Sequence, residues 1–231
     1  MSIHGLNILT LLDYPGKLAA TIFLGSCNFR CPFCHNGDLV LNPSSQPVIE
    51  LEEVIRFLKK RQGILEGVCI TGGEPTLYAG LEDLICAIRE LGYAVKLDTN
   101  GYRPEVLKDL VSKGLLDMVA MDIKSDQDSY AQVAGRSELQ MEKICESVDY
   151  LMEGHVPYEF RTTVVRELHN RETFEKIGQW IGGCQAYYLQ NYKDSDAIIQ
   201  PGFHGYGIEE LTEFKDLLLE KIEKVEIRGI D

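Results

Sequence analysis

The chain has 231 residues, 45% of them apolar, and a formal net charge of −13; that is enough for one substantial core, and a single domain over 1–231 is expected. Its charges fall in mixed-sign runs such as Glu50–Glu53 and Lys59–Arg61, solvated helix faces and not a basic stripe for phosphates, which argues against a nucleic-acid partner. No apolar run approaches the roughly 20 residues that span a bilayer, and no basic, then apolar leader opens the chain, so no membrane partner and a cytoplasmic location are expected.

Taken in chain order, Ile3–Leu9 reads as an edge strand, followed by the turn-forming Asp13-Tyr14-Pro15-Gly16. From Leu18 onward short β-branched runs alternate with longer amphipathic stretches, the mark of repeated βα units around a parallel sheet. The predicted strands are Ala19–Leu24, Val68–Thr71, Ala94–Asp98, Met118–Ile123, Glu159–Val165 and Tyr187–Gln190. Between them the spacing predicts helices at Leu51–Arg61, Leu81–Leu91, Pro104–Lys113, Leu139–Met152 and Thr173–Ile181, with Ile208–Ile222 after the last strand. Leu84, Ile85, Ile88 and Leu91 recur at helical spacing, and Pro104 and Gly114 suit the start and stop of one helix. Val225–Arg228 reads as a last edge strand; 42–47 and 194–207 are the loops richest in breakers. The expected architecture is α/β, a partial six-unit barrel resembling a TIM barrel, with a core over about 18–191 and a terminal helix and strand over 207–228. Ligands of such sheets bind at the carboxyl ends of the strands.

Seven cysteines in a reducing compartment point to metal or catalysis more readily than to disulfides. Cys27, Cys31 and Cys34 crowd the loop after the first predicted parallel strand, whereas Cys69, Cys86, Cys145 and Cys184 lie among apolar neighbours and read as small buried hydrophobes. Three close thiolates can hold three irons of a four-iron cluster and leave the fourth open to a small molecule. A structural zinc site completed by His35 is the competing reading of the same spacing. Gly72-Gly73-Glu74-Pro75 ends the next strand, where paired glycines allow close backbone approach and the glutamate adds an anion. Asp98-Thr99-Asn100-Gly101 ends the third, and Asp122 and Lys124, two apart at the end of the fourth, point the same way. Arg161 lies inside an otherwise β-favouring run and needs an anion if it faces inward. Gln190 and Asn191 end the sixth, where their amides suit either adenosine or hydrogen bonding within the sheet.

The CxxxCxxC and GGEP loops, in this order on one rim, resemble those of the radical S-adenosylmethionine (SAM) superfamily. The resemblance implies an oxidoreductase with one [4Fe-4S] cluster on Cys27, Cys31 and Cys34, its unique iron chelated by the cofactor's amino and carboxylate groups. It also implies that Gly72, Gly73 and Glu74 receive the methionine amino group, that Phe33 lies by the adenine, and that Asp122 and Lys124 help bind the cofactor; Asp98, Thr99, Asn100, Arg161 and Gln190, by their place on the same rim, are expected to add further cofactor contacts. Cleavage of the sulfur–C5′ bond by a cluster electron would give a 5′-deoxyadenosyl radical that abstracts hydrogen.

Asp13-Tyr14-Pro15-Gly16 and His35-Asn36 are similar to elements of glycyl-radical-enzyme activases, anaerobic enzymes, and most similar to the proteins that activate anaerobic ribonucleoside-triphosphate reductase. That implies a glycyl radical enzyme as partner, a flavodoxin-like electron donor, and a monovalent cation held by Asp13, Asp98 and Thr99. Between Cys34 and Gly72 no further cysteine cluster occurs, so a single iron–sulfur cluster is expected. The histidine that pyruvate formate-lyase activases place near the end of strand six is replaced by Gln190-Asn191-Tyr192, which favours the reductase as partner. Radical chemistry on another peptide or a small molecule, and a non-enzymatic zinc module, are the alternative readings.

Overall fold

The computed structural model describes residues 2–195 and 197–230; Met1 and Asp231, at the ends of the expected domain, and Asp196, in the expected 194–207 loop, lie outside the described residues. Its frame is one eight-stranded sheet in strict sequence order: β1 (Ile3–Thr10), β2 (Ala19–Leu24), β3 (Gly67–Gly72), β4 (Ala94–Thr99), β5 (Met118–Asp122), β6 (Tyr158–Val164), β7 (Tyr187–Asn191) and β8 (Val225–Arg228). β1 pairs antiparallel with β2, and every later pair is parallel. The six expected βα strands are all present. Among the described residues β1 and β8 do not pair, so the barrel stays open between them.

The parallel strands are buried on both faces because helices cover the outside and side chains fill the inside. Val68, Cys69, Ile70, Val95, Leu97, Val119, Ala120 and Met121 are fully buried. Outside lie α1 (Gly37–Leu41), α2 (Leu51–Lys60), α3 (Leu81–Glu90), α4 (Pro104–Ser112), α5 (Tyr130–Val133), α6 (Met141–Met152), α7 (Arg171–Trp180) and α8 (Ile208–Leu219). α3 buries Leu81, Leu84, Ile85 and Ile88 against the sheet, each contributing about 1.5–3 kcal/mol relative to exposure.

Helix ends follow local chemistry. α4 begins on Pro104 and stops at Gly114, whose φ of 65° lets Leu115 N–H reach the Leu110 carbonyl while Gly114 N–H reaches that of Val111. α7 starts two residues before the expected Thr173 because Asn170 and Thr173 cap each other's backbone N–H groups. α6 starts two residues after the expected Leu139, since the Gln140 N–H is donated to the Tyr102 hydroxyl. α1 and α5, of five and four residues, are too short to show a helical period and were not predicted.

Strand ends position the site. β3 and β5 are buried through their middles and become partly accessible at their carboxyl ends, so the side chains just there face a common hollow.

Candidate active site

That hollow is a cavity of about 210 Å3 lined by Cys27, Cys31 and Cys34 on one side, Gly72–Glu74 and Asp98–Asn100 at its centre, and Asp122, Lys124, Arg161 and Gln190 opposite. Phe33 also borders it, buried, with its ring edge-on to those of His169 and Phe203. The three thiols share the loop after β2, and backbone amides already point at two of them: Phe29 N–H donates to Cys27 Sγ at 3.3 Å, and the Asn36 N–H lies against Cys34.

Burial raises the Cys27 thiol to about 12 and the Cys31 thiol to about 11, in spite of Lys124 near both, and it raises Cys34 too. Thiols so placed hold their protons until a cation displaces them. Among the described residues no three His, Cys, Asp or Glu side chains gather tightly enough to hold a single metal ion. His35, the fourth ligand of the zinc reading, instead sets Nε2 2.6 Å from the Lys193 carbonyl and packs on Tyr192. Among the described residues, one buried side-chain polar atom lacks a partner: Nδ2 of Asn28, beside Cys27. A donor without an acceptor next to a spread thiol triad fits a group that brings its own sulfur acceptors, as an iron–sulfur cluster does.

The loops are laced together by side chains. Asn36 Nδ2 donates to the Gly72 carbonyl at 2.7 Å, and Asn100 Nδ2 to Asn28 Oδ1 at 2.7 Å. Glu74, 1% exposed, accepts from Thr76 N–H and hydroxyl, from the Thr99 hydroxyl at 2.7 Å and from Asn100 N–H at 2.7 Å. Three of these donors meet Oε1 and one meets Oε2. Burial nonetheless lifts the Glu74 carboxyl above its ordinary value. The paired glycines serve loop packing as well: a Cβ would stand 2.2 Å from the Leu24 carbonyl oxygen at Gly72 and 1.9 Å from that of Ser26 at Gly73. Glycine is therefore required at both positions by the main chain of β2 and the loop after it.

Opposite the thiols a row of charges alternates in sign. Lys96 meets Asp98 at 2.5 Å, Asp98 meets Arg161 at 3.1 Å, Arg161 meets Asp122 at 3.0 Å and Asp122 meets Lys124 at 3.0 Å. The anions that an inward Arg161 requires are thus the chain's own. Burial works against both carboxylates, but Arg161 and Lys96 hold Asp98 below its ordinary value, and Lys124 and Arg161 hold Asp122 down at about 2. Burial opposes the Lys124 charge; Asp122 and Cys31 outweigh it and raise its pKa. Beneath Lys124, the buried His169 accepts the Val165 N–H on Nδ1, so its Nε2–H donates to the Lys124 carbonyl, and burial lowers its pKa.

Asp13 lies apart from this cavity and takes the Thr21 hydroxyl at 2.5 Å. It borders a second hollow of about 650 Å3 between the β1–β2 turn and the ends of β7 and β8, lined by Leu11, Leu12, Asn191 and Arg228. His35, Arg161, Thr163 and Gln190 border both hollows. Lys96 and His169 were not singled out from sequence, and Asn36 entered only through the His35-Asn36 resemblance, with no role of its own. Lys96 left a signal, as a lone lysine two before Asp98 in a buried strand.

Fold and site define an α/β protein with a thiol-lined cavity at the carboxyl ends of an open parallel sheet. The profile of the radical SAM superfamily matches residues 21–181. A Methanocaldococcus jannaschii protein, provisionally named a glycyl-radical enzyme activating enzyme, is 35% identical over 203 residues, 84% of this chain and 81% of its own length. The pyruvate formate-lyase-activating enzyme of Clostridium pasteurianum is 25% identical over 236 residues, 97% of this chain and 91% of that one. In three dimensions, Streptococcus suis SuiB bound to S-adenosylmethionine superposes on 90% of the chain with a TM-score of 0.69 at 14% identity, and the chain spans 52% of that structure. The chain belongs to the radical SAM superfamily. Membership implies a four-iron cluster and S-adenosylmethionine, and the cavity's thiols and orphaned amide fit the former.

Proposed function

We propose that this chain is a glycyl-radical-enzyme activase, acting as one cytoplasmic domain with its core over about 18–191, under anaerobic conditions and with a flavodoxin-like protein as electron donor. The observation that carries the reading is the second hollow. It opens between β1 and β8, which do not pair with each other among the described residues, and shares Arg161, Thr163 and Gln190 with the thiol-lined cavity, so a loop of another protein has a lateral way to the reacting centre. The near full-length likeness to an activating enzyme supports it. The partner we favour is anaerobic ribonucleoside-triphosphate reductase, on the strength of Asp13–Gly16 and Gln190–Tyr192.

With the cluster and S-adenosylmethionine bound, the chemistry supplied is reductive cleavage to a 5′-deoxyadenosyl radical that takes an α-hydrogen from a partner glycine. Cys27, Cys31 and Cys34 would hold the cluster, and the Gly72–Glu74 main chain would meet the cofactor's amino group. Lys124 and Arg161 would neutralise its carboxylate. Phe33, Asn100 and Gln190 would border the nucleoside and keep water from the radical's path, with Asp98, Thr99 and Asp122 fixing the cationic side chains and loops around it.

The test is anaerobic reconstitution followed by electron paramagnetic resonance on a candidate reductase. A glycyl-radical signal on the partner that requires chain, cofactor and reductant together is the expected result. Release of 5′-deoxyadenosine without any protein radical on partners, but coupled to a peptide or small molecule, would move the chain to another radical SAM reaction.

A further inference from the structure

The residues expected to hold a monovalent cation do not fit one. Asp98 spends one carboxylate oxygen on Lys96 and the other on Arg161. The Thr99 hydroxyl donates to Glu74 and accepts the Gly101 N–H. Asp13 is engaged by Thr21 and borders a different hollow from the one that Asp98 and Thr99 line.

What Asp98 has in place of an ion is Lys96. This side chain is fully buried at the centre of β4, and its ammonium touches Asp98 at 2.5 Å and lies 4.0 Å from the Cys69 sulfur. A buried lysine is costly unless its charge is met. Lys96 does not border the cavity, whereas Asp98 two residues on does, so its charge reaches the site through that carboxylate.

Counted along the row, Lys96, Arg161 and Lys124 face Asp98 and Asp122. Within the row, three cations meet two carboxylates, which leaves one positive charge for the carboxylate end of the cofactor. A free sodium or potassium ion on Asp98 would double that surplus in a buried row. We propose that the ammonium of Lys96 is a built-in monovalent cation: a positioning residue that holds Asp98, and through it Arg161, for the carboxylate of the cofactor, so that the chain needs no free alkali ion.

The experiment is S-adenosylmethionine binding to the cluster-loaded chain by equilibrium dialysis, without any partner protein, in sodium, potassium or tetramethylammonium buffers of equal ionic strength. The wild-type affinity should stay within about twofold across the three, and Lys96→Met should bind about tenfold more weakly in tetramethylammonium, the worth of one charge-assisted hydrogen bond. Potassium or sodium should restore much of that loss, and methylammonium should do the same for Lys96→Ala. A wild-type chain that needs sodium or potassium, or a Lys96→Met chain that binds normally in tetramethylammonium, overturns the proposal. Should both variants fail to fold, thallium-205 NMR of the wild type decides: no bound thallium supports the built-in cation, and one stoichiometric ion refutes it. None of these measurements involves a glycyl radical, so the activase reading can fail while this one stands.

Discussion

Between β2 and β4 each loop is fastened to the next: Asn36 to Gly72, Glu74 to Thr99 and Asn100, Asn100 to Asn28. Between β1 and β8 there is no strand pairing among the described residues, and the turn at the gap carries Leu11 and Leu12, 72% and 85% exposed. The first wall spends its polar groups on itself and is rigid where a reactive cofactor needs fixed donors. The second leaves apolar side chains in water, an arrangement that marks surfaces which another surface covers.

The harshest way to break this contrast is to remove the thiol at its centre. Cys31→Ala should abolish the reduced four-iron signal and all 5′-deoxyadenosine release while circular dichroism stays that of the wild type. Next in size, Glu74→Ala strands four buried donors and should cost about 3 kcal/mol of stability in urea unfolding; a loss within about 0.5 kcal/mol, the usual range for surface changes, would mean that the lacing carries no weight. On the open wall, Leu12→Asp should leave stability and partner-free nucleoside release near wild type and lower the glycyl-radical yield by about tenfold, as loss of an interface anchor does. Equal losses in both assays would erase the distinction between the walls.

The smallest effect is one of pH. The Asp122 carboxyl falls from an ordinary 3.8 to about 2 on folding, so its stabilisation is fully present above the unfolded value and disappears as pH drops from about 4 to about 2. Thermal stabilities of wild type and Asp122→Asn should therefore differ at about pH 6 and converge over that window. A gap that persists at about pH 2 would assign the difference to packing.

The sequence made the strands and the thiol loop legible because both are local: an apolar run followed by turn residues needs no distant partner to be recognised. The fastenings were not legible. Asn36 and Gly72 are brought together only by the parallel register of β2 and β3, and His169 supports Lys124 from a residue far along the chain. Lys96 fell on the wrong side of a sound rule, since a lysine in a strand ordinarily faces water; only the Asp98 carboxylate, two residues on along the same face, makes its burial tolerable. Gly72 and Gly73 were read for close backbone approach to a ligand; that a side chain there would also strike the main chain of β2 and its loop was not legible in the string.

The strictly sequential strand order also bears on how the protein is made. Each strand pairs with the one synthesised just before it, so the sheet can grow from one edge as the chain leaves the ribosome. The three thiols emerge with the second strand, but Arg161 arrives with the sixth. Machinery that delivers iron and sulfide during synthesis would meet a pocket with exposed thiols and an incomplete wall; iron delivered after β7 has docked enters a finished one.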